Sequence, residues 1–194
     1  MSKVVPRPKR STFELQAVSA HLLYEIEMLA DLVEAMGGVD TGFTTTGSEW
    51  AVRNALLESF TIHARSLVGF FYPRRPQPDD AIAEDFFDDD TWSRRGAPEN
   101  PSWSRVRRRV GKEIAHLTYQ RHNPYEDAAT WPHGKIFLEL AAVVGDFVRL
   151  VPQERLHPDF TQRVTEALPG IFRWASTGGL ANAAAATAAH RPPG

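Results

Sequence analysis

Apolar residues recur at the 3.6-residue spacing of an amphipathic helix along most of this chain, and strand-like alternation is nearly absent. The first stripe is Leu15, Val18, Leu22, Ile26, Leu29, Val33 and Met36. Ser11 and Glu14 ahead of it have capping-box spacing, and Gly37-Gly38 after it supplies a stop. A second stripe runs through Leu56, Phe60, His63, Leu67 and Phe70 or Phe71. It follows another capping-box pair, Thr46 and Glu49, and Pro73 ends it. Asn100 and Pro101 open a third helix through Trp103, Val106, Val110, Ile114 and Leu117, which ends near Asn123-Pro124. A fourth is signalled by Thr130 and Pro132 and carries Ile136, Phe137, Leu140, Val143, Val144, Phe147 and Leu150. A shorter fifth, about 158–168, carries Phe160, Val164 and Leu168. The pattern predicts an all-α fold, an up-down bundle of four to five helices.

The segments between and beyond the stripes set the domain plan. Residues 1–10 read as a flexible basic arm, 11–175 as a single helical domain, and 176–194 as a disordered low-complexity tail. A long acidic connection occupies about 73–100. Within it, DDAIAEDFFDDD holds seven acids and no base, with Ile82, Phe86 and Phe87 as anchors to the bundle and room for a short helix. The run Asp88-Asp89-Asp90 lacks the calcium-loop pattern and reads as a solvated loop paired with the arginines after it. GGVDTGFTTTG is glycine-rich but has neither a Gly-Lys-Ser/Thr step nor a preceding strand, so it reads as a helix-to-helix connection.

Composition narrows the class. A chain of 194 residues, 42% hydrophobic and 24% charged, is long enough for one globular core. No apolar run approaches the roughly 18 residues of a membrane span, and MSKVVPRPKRSTF has no apolar stretch of a secretory signal. The absence of cysteine excludes a thiolate nucleophile, a cysteine-ligated zinc site and a disulfide-linked partner, and makes the cytoplasm the default location. A net charge of −2 exerts no global pull on nucleic acid, so such binding would need a local patch. Arg105, Arg107, Arg108, Arg109 and Lys112 form one.

Several polar residues lie close to the core stripes. Arg109, Glu113 and His116 fall on one line of the third helix, with Arg121 beyond them. They read either as a cationic site, His116 moving a proton and Arg109 holding phosphate charge, or as a solvated ion-pair ladder. His63 stands inside an apolar stripe and needs a partner, from Ser59 one turn earlier or from another helix. Glu58 and Arg65 stand on its flank as supporting residues of a polar network or of a site shared with His116. His21, His63 and His116 come from three different helices, with Glu25 one turn from His21. Their convergence would make a metal-binding bundle enzyme similar to DinB-like proteins, but the paired H-x3-H spacing is absent and no cofactor is expected.

Three blocks, NALLESFTIHARSLVGFF, IAEDFFDDDTW and VGKEIAHLTYQR, resemble an uncharacterised family of small bacterial helical proteins over roughly residues 50–150. That family is similar to the HEPN group, many of whose members are ribonucleases marked by an Arg, four to six residues and a His. Arg109 and His116 match with six residues between, although Val110 replaces the usual polar residue after the Arg. The resemblance implies a homodimer with a composite site, metal-independent RNA cleavage by Arg109 and His116, and a role in bacterial defence or stress. It equally implies an RNA-binding module, since many HEPN-like domains lack activity. A non-catalytic interaction or dimerisation module is the reading from another class, with His63, Glu58 and Arg65 purely structural.

Overall fold

The computed structural model describes residues 7–40, 49–94, 103–104, 106–107 and 132–168. Those residues form an all-α bundle, and none of them lies in a strand. Helix α1 spans Thr12–Asp40, α2 Glu49–Phe71, the short α3 Thr91–Arg94, α4 His133–Leu150 and α5 Phe160–Ala167. Single 3-10 turns at Ala83–Phe86 and Gln153–Arg155 punctuate the connections. Residues 103, 104, 106 and 107 are also helical, at the start of the third predicted stripe.

Helix α1 begins where its capping box predicts. The Ser11 hydroxyl accepts from the Glu14 backbone N–H at 3.3 Å, and the Glu14 carboxylate accepts from the Ser11 N–H at 2.8 Å. The stop at Gly37-Gly38 is not used, because the helix continues to Asp40. Glycine lowers helix stability by only about 1 kcal/mol, which a long packed helix absorbs. Helix α2 ends at Phe71, two residues before Pro73, with the Tyr72 N–H closing on Val68 O at 3.0 Å. The Thr46 cap lies outside the described residues.

One core joins all five helices. Leu15, Leu22, Leu23, Ile26 and Leu29 of α1 meet Phe60, Ala64, Leu67 and Val68 of α2, and α4 closes the layer with Ile136, Leu140, Val144 and Phe147. Phe147 is the hub of an aromatic cluster, with Phe70, Phe71, Phe86, Phe87 and Trp92 all within 6.1 Å of it between ring centroids. Their edge-to-face geometry is the favoured one for aromatic pairs. The acidic connection is therefore held from below by Ile82, Phe86 and Phe87, as its sequence predicts. Trp92 adds a hydrogen bond from its indole N–H to Phe71 O at 3.2 Å.

The 3-10 turn Gln153–Arg155 and helix α5 are fastened to α1 by polar contacts. Ser19, fully buried, donates to Gln16 O at 2.8 Å and accepts the His157 N–H at 2.7 Å. Gln16 donates to Glu154 O at 2.9 Å, and Arg163 forms a two-pronged contact with Glu27 at 2.6 and 2.8 Å. Helix α1 is thereby covered on one side by α2 and on another by α5 and this turn.

Candidate functional site

His63 finds its partner on another helix. Its Nδ1 lies 2.8 Å from a carboxylate oxygen of Glu25 on α1. The histidine is 8% exposed, and Tyr24 meets its ring edge-on at 5.8 Å between centroids. Phe60 and Leu67, one turn away on each side, are core, so the stripe carries His63 to the border between α1 and α2. Glu25 occupies the equivalent border of α1, beside Leu22, Ile26 and Leu29. Two apolar stripes in contact thus bring a base and an acid together at their shared edge.

The supporting residues do not gather around this pair. Glu58 and Arg65 are exposed, and the nearest local task at position 58 is to accept the Thr61 hydroxyl on its backbone carbonyl at 2.8 Å. Ser59 is not the partner of His63. His21 is exposed on α1, and no three His, Asp or Glu side chains cluster as a metal site among the described residues. Arg109, Glu113, His116 and Arg121 lie outside the described residues, as does any meeting of His63 with His116. Ahead of them in the sequence, Trp103 and Val106 are buried, and Arg107 donates to the backbone oxygens of Val68, at 3.1 Å, and of Tyr72.

A second polar grouping forms where the basic arm meets the acidic connection. Expected to be flexible, the arm is tied down over its described part. Arg7 contacts both Asp85 oxygens, at 2.9 and 3.3 Å, and donates to the backbone oxygens of Gln77, at 2.6 Å, and Asp80. Arg10 reaches Pro78 O at 2.5 Å. Asp88 pairs with Lys9 at 3.2 Å and with Arg155. The expected pairing of the acidic run with the arginines after it holds for Asp90, which meets Arg94 at 2.6 Å. Asp88 instead draws on bases distant in the chain. Arg155 and the arm border a cleft of about 450 Å³ together with Glu84, Asp85, Phe87 and Asp88.

Asp88, Asp89 and Glu14 are shifted toward ionisation. The Lys9 ammonium, then the Arg155 guanidinium, hold the Asp88 carboxyl below its ordinary range. Asp89 is lowered by the Thr91 hydroxyl and backbone N–H, and Glu14 by the backbone N–H and hydroxyl of Ser11. Arg7 with Asp85, and Lys9 and Arg155 with Asp88, match opposite charges across the cleft. The cleft therefore reads as a clamp and offers little net charge to a ligand.

Sequence reasoning named Glu25 only beside His21 and did not pair it with His63, and it gave Arg7 no role of its own. For Glu25 a signal existed, since a carboxylate at the edge of one apolar stripe and a histidine at the edge of the next are complementary. For Arg7 there was none, because the contacts join residues seventy or more positions apart. No family model matches the chain, and no curated protein or solved structure matches it.

Proposed function

We propose that this chain is a non-catalytic helical interaction module. The observation that carries the reading is the placement of His63, nearly enclosed and bound through Nδ1 to Glu25 across the α1–α2 seam. A histidine in that setting holds two helices in register. A general acid or base must instead reach the proton it transfers, in a cleft that admits substrate. The cleft beside Arg7 does not include His63. Meanwhile Phe13, Tyr24, Ile62 and Leu138 expose large apolar surface, from 53% for Tyr24 and Ile62 to 79% for Phe13, which suits contact with a partner.

RNA binding or metal-independent RNA cleavage at Arg109 and His116 is the second reading. It is favoured by the Arg-x6-His spacing, which follows a described segment with Trp103 and Val106 buried and Arg107 bonded to Val68 O of α2. One experiment separates the two: incubation of the purified chain with mixed single-stranded RNA in chelator, beside a His116→Ala variant and thermal melts of His63→Ala. The interaction module predicts no cleavage and a marked loss of melting temperature in His63→Ala. Metal-independent cleavage abolished in a well-folded His116→Ala protein would overturn it in favour of the nuclease.

A further inference from the structure

The acidic connection shapes its acceptors without help from the arm. In the turn at 77–80 the Asp80 N–H donates to Gln77 O at 3.1 Å, and the Gln77 N–H donates to the Asp80 carboxylate at 2.6 Å. The Asp85 carboxylate accepts the Ile82 N–H at 3.1 Å, so it is aimed by its own 3-10 turn. Beneath it Ile82 and Phe86 are buried, and Phe86 packs on Phe147. A surface built this way is preorganised, and a ligand that docks on it need not order it.

The arm, by contrast, is held by side chains. Residues 7–10 lie outside any helix, and their bonds to the connection all come from Arg7, Lys9 and Arg10. Arg7 reaches Gln77 O and Arg10 reaches Pro78 O, so an Arg-x-x-Arg spacing matches two successive carbonyls. Lys9, 86% exposed at its side chain, meets Asp88, 62% exposed, where water weakens the pair. The charges are also unequal. Seven acids lie between Asp79 and Asp90, and Asp79, Asp80, Glu84 and Asp89 form no ion pair among the described residues. Without the arm Asp85 would lose its base as well.

We propose that the acidic connection docks an extended basic segment of a partner protein, one with Arg-x-x-Arg spacing, and that the arm holds this surface in cis until such a segment displaces it. The proposal rests on the interaction-module reading and names the chemistry of the partner. Arginine is needed at the Arg7 position because one guanidinium spans both Asp85 oxygens and the carbonyls of Gln77 and Asp80, a fork that an ammonium cannot make. The unpaired acids draw in a segment richer in bases than the arm. Being tethered, the arm competes at an effective concentration of about 1 mM, so the surface opens only to a more basic or locally abundant segment.

The test uses the full chain with Arg7→Ala, Lys9→Ala and Arg10→Ala combined, its fold checked by circular dichroism. The probe is a fluorescein-labelled peptide VVPRPKRSTF, the sequence of residues 4–13, read by anisotropy at low salt. The arm variant is expected to bind it with a Kd of about 10–100 μM, and the wild type at least about tenfold more weakly because its own arm competes. Adding Asp85→Asn keeps an oxygen for the Ile82 N–H but removes the charge, and should weaken binding at least about fivefold. A peptide with both arginines changed to lysine should lose as much. No binding by the arm variant up to about 1 mM peptide, equal affinity in the wild type, or indifference to Asp85→Asn or to the lysine peptide overturns the proposal. An arm variant that takes no peptide but has lost single-stranded RNA binding seen in the wild type overturns it too, and assigns the arm to RNA. The interaction-module reading stands or falls on the RNA cleavage assay instead, so failure of one is distinguishable from failure of the other.

Discussion

His63 and Arg7 each join distant segments through a carboxylate, yet they do so in opposite ways. His63 makes one hydrogen bond, to Glu25, with its ring at the border of two helices and its side chain 11% exposed. Arg7 makes four, to Asp85, Gln77 and Asp80, at a side chain 23% exposed. The seam concentrates its bonding in one hydrogen bond, so losing Glu25 leaves the enclosed His63 ring without its carboxylate, whereas Glu25, 27% exposed at its side chain, can turn to water. The clamp spreads its bonding over four hydrogen bonds to a carboxylate and two backbone oxygens, so any single loss is softened by the rest. A carboxylate partner therefore gives a register pin in one region and a salt-sensitive tether in the other.

That contrast can be broken by mutation, and the largest expected effect lies in neither polar group. Phe147→Ala removes the ring on which the connection rests and should cost about 3–5 kcal/mol in denaturant unfolding. A smaller loss would mean that the clamp, not the aromatic cluster, holds the connection. Next comes the seam: His63→Ala should cost about 1–3 kcal/mol, with a double-mutant cycle against Glu25→Gln showing clear coupling. Additive losses would show that the pair is only adjacent. Arg7→Ala should cost about 1 kcal/mol at low salt and less at high salt. Salt-independent loss would place Arg7 with His63 as a register pin.

The smallest effect is in pH. The Asp88 carboxyl is held below its ordinary range by Lys9 and then Arg155, so its contribution is complete above the unfolded value of about 3.9. It disappears as pH falls through the lower folded value. The difference in melting temperature between wild type and Asp88→Asn, present at pH 7, should close on acidification below that range. A difference that persisted unchanged would mean that Asp88 acts by shape and not by charge.

Much of the fold was legible because helix stripes and caps are local. Ser11 and Glu14 form the predicted box, Phe160, Val164 and Leu168 are buried as their spacing requires, and Ile82 and Phe86 anchor the connection. Gly37 does not act as the expected stop, because a propensity of about 1 kcal/mol cannot by itself end a helix that packs along its length. Of the candidate site, the need of His63 for a partner was legible, but the identity of that partner was not. The residues on which the nuclease reading depends, Arg109 and His116, lie outside those described.

What the sequence by itself determined is the helical class, the faces that turn inward, and the presence of a histidine that had to be satisfied. Those follow from periodicities of a few residues and from the cost of burying an unpaired ring nitrogen. Only the tertiary structure decided that Glu25 satisfies it, that Arg7 and Arg155 claim the acidic connection, and that Phe13, Ala17, Ala20 and Tyr24 are left uncovered. Each is a contact, or a missing contact, between segments whose separation along the chain says nothing about their separation in space.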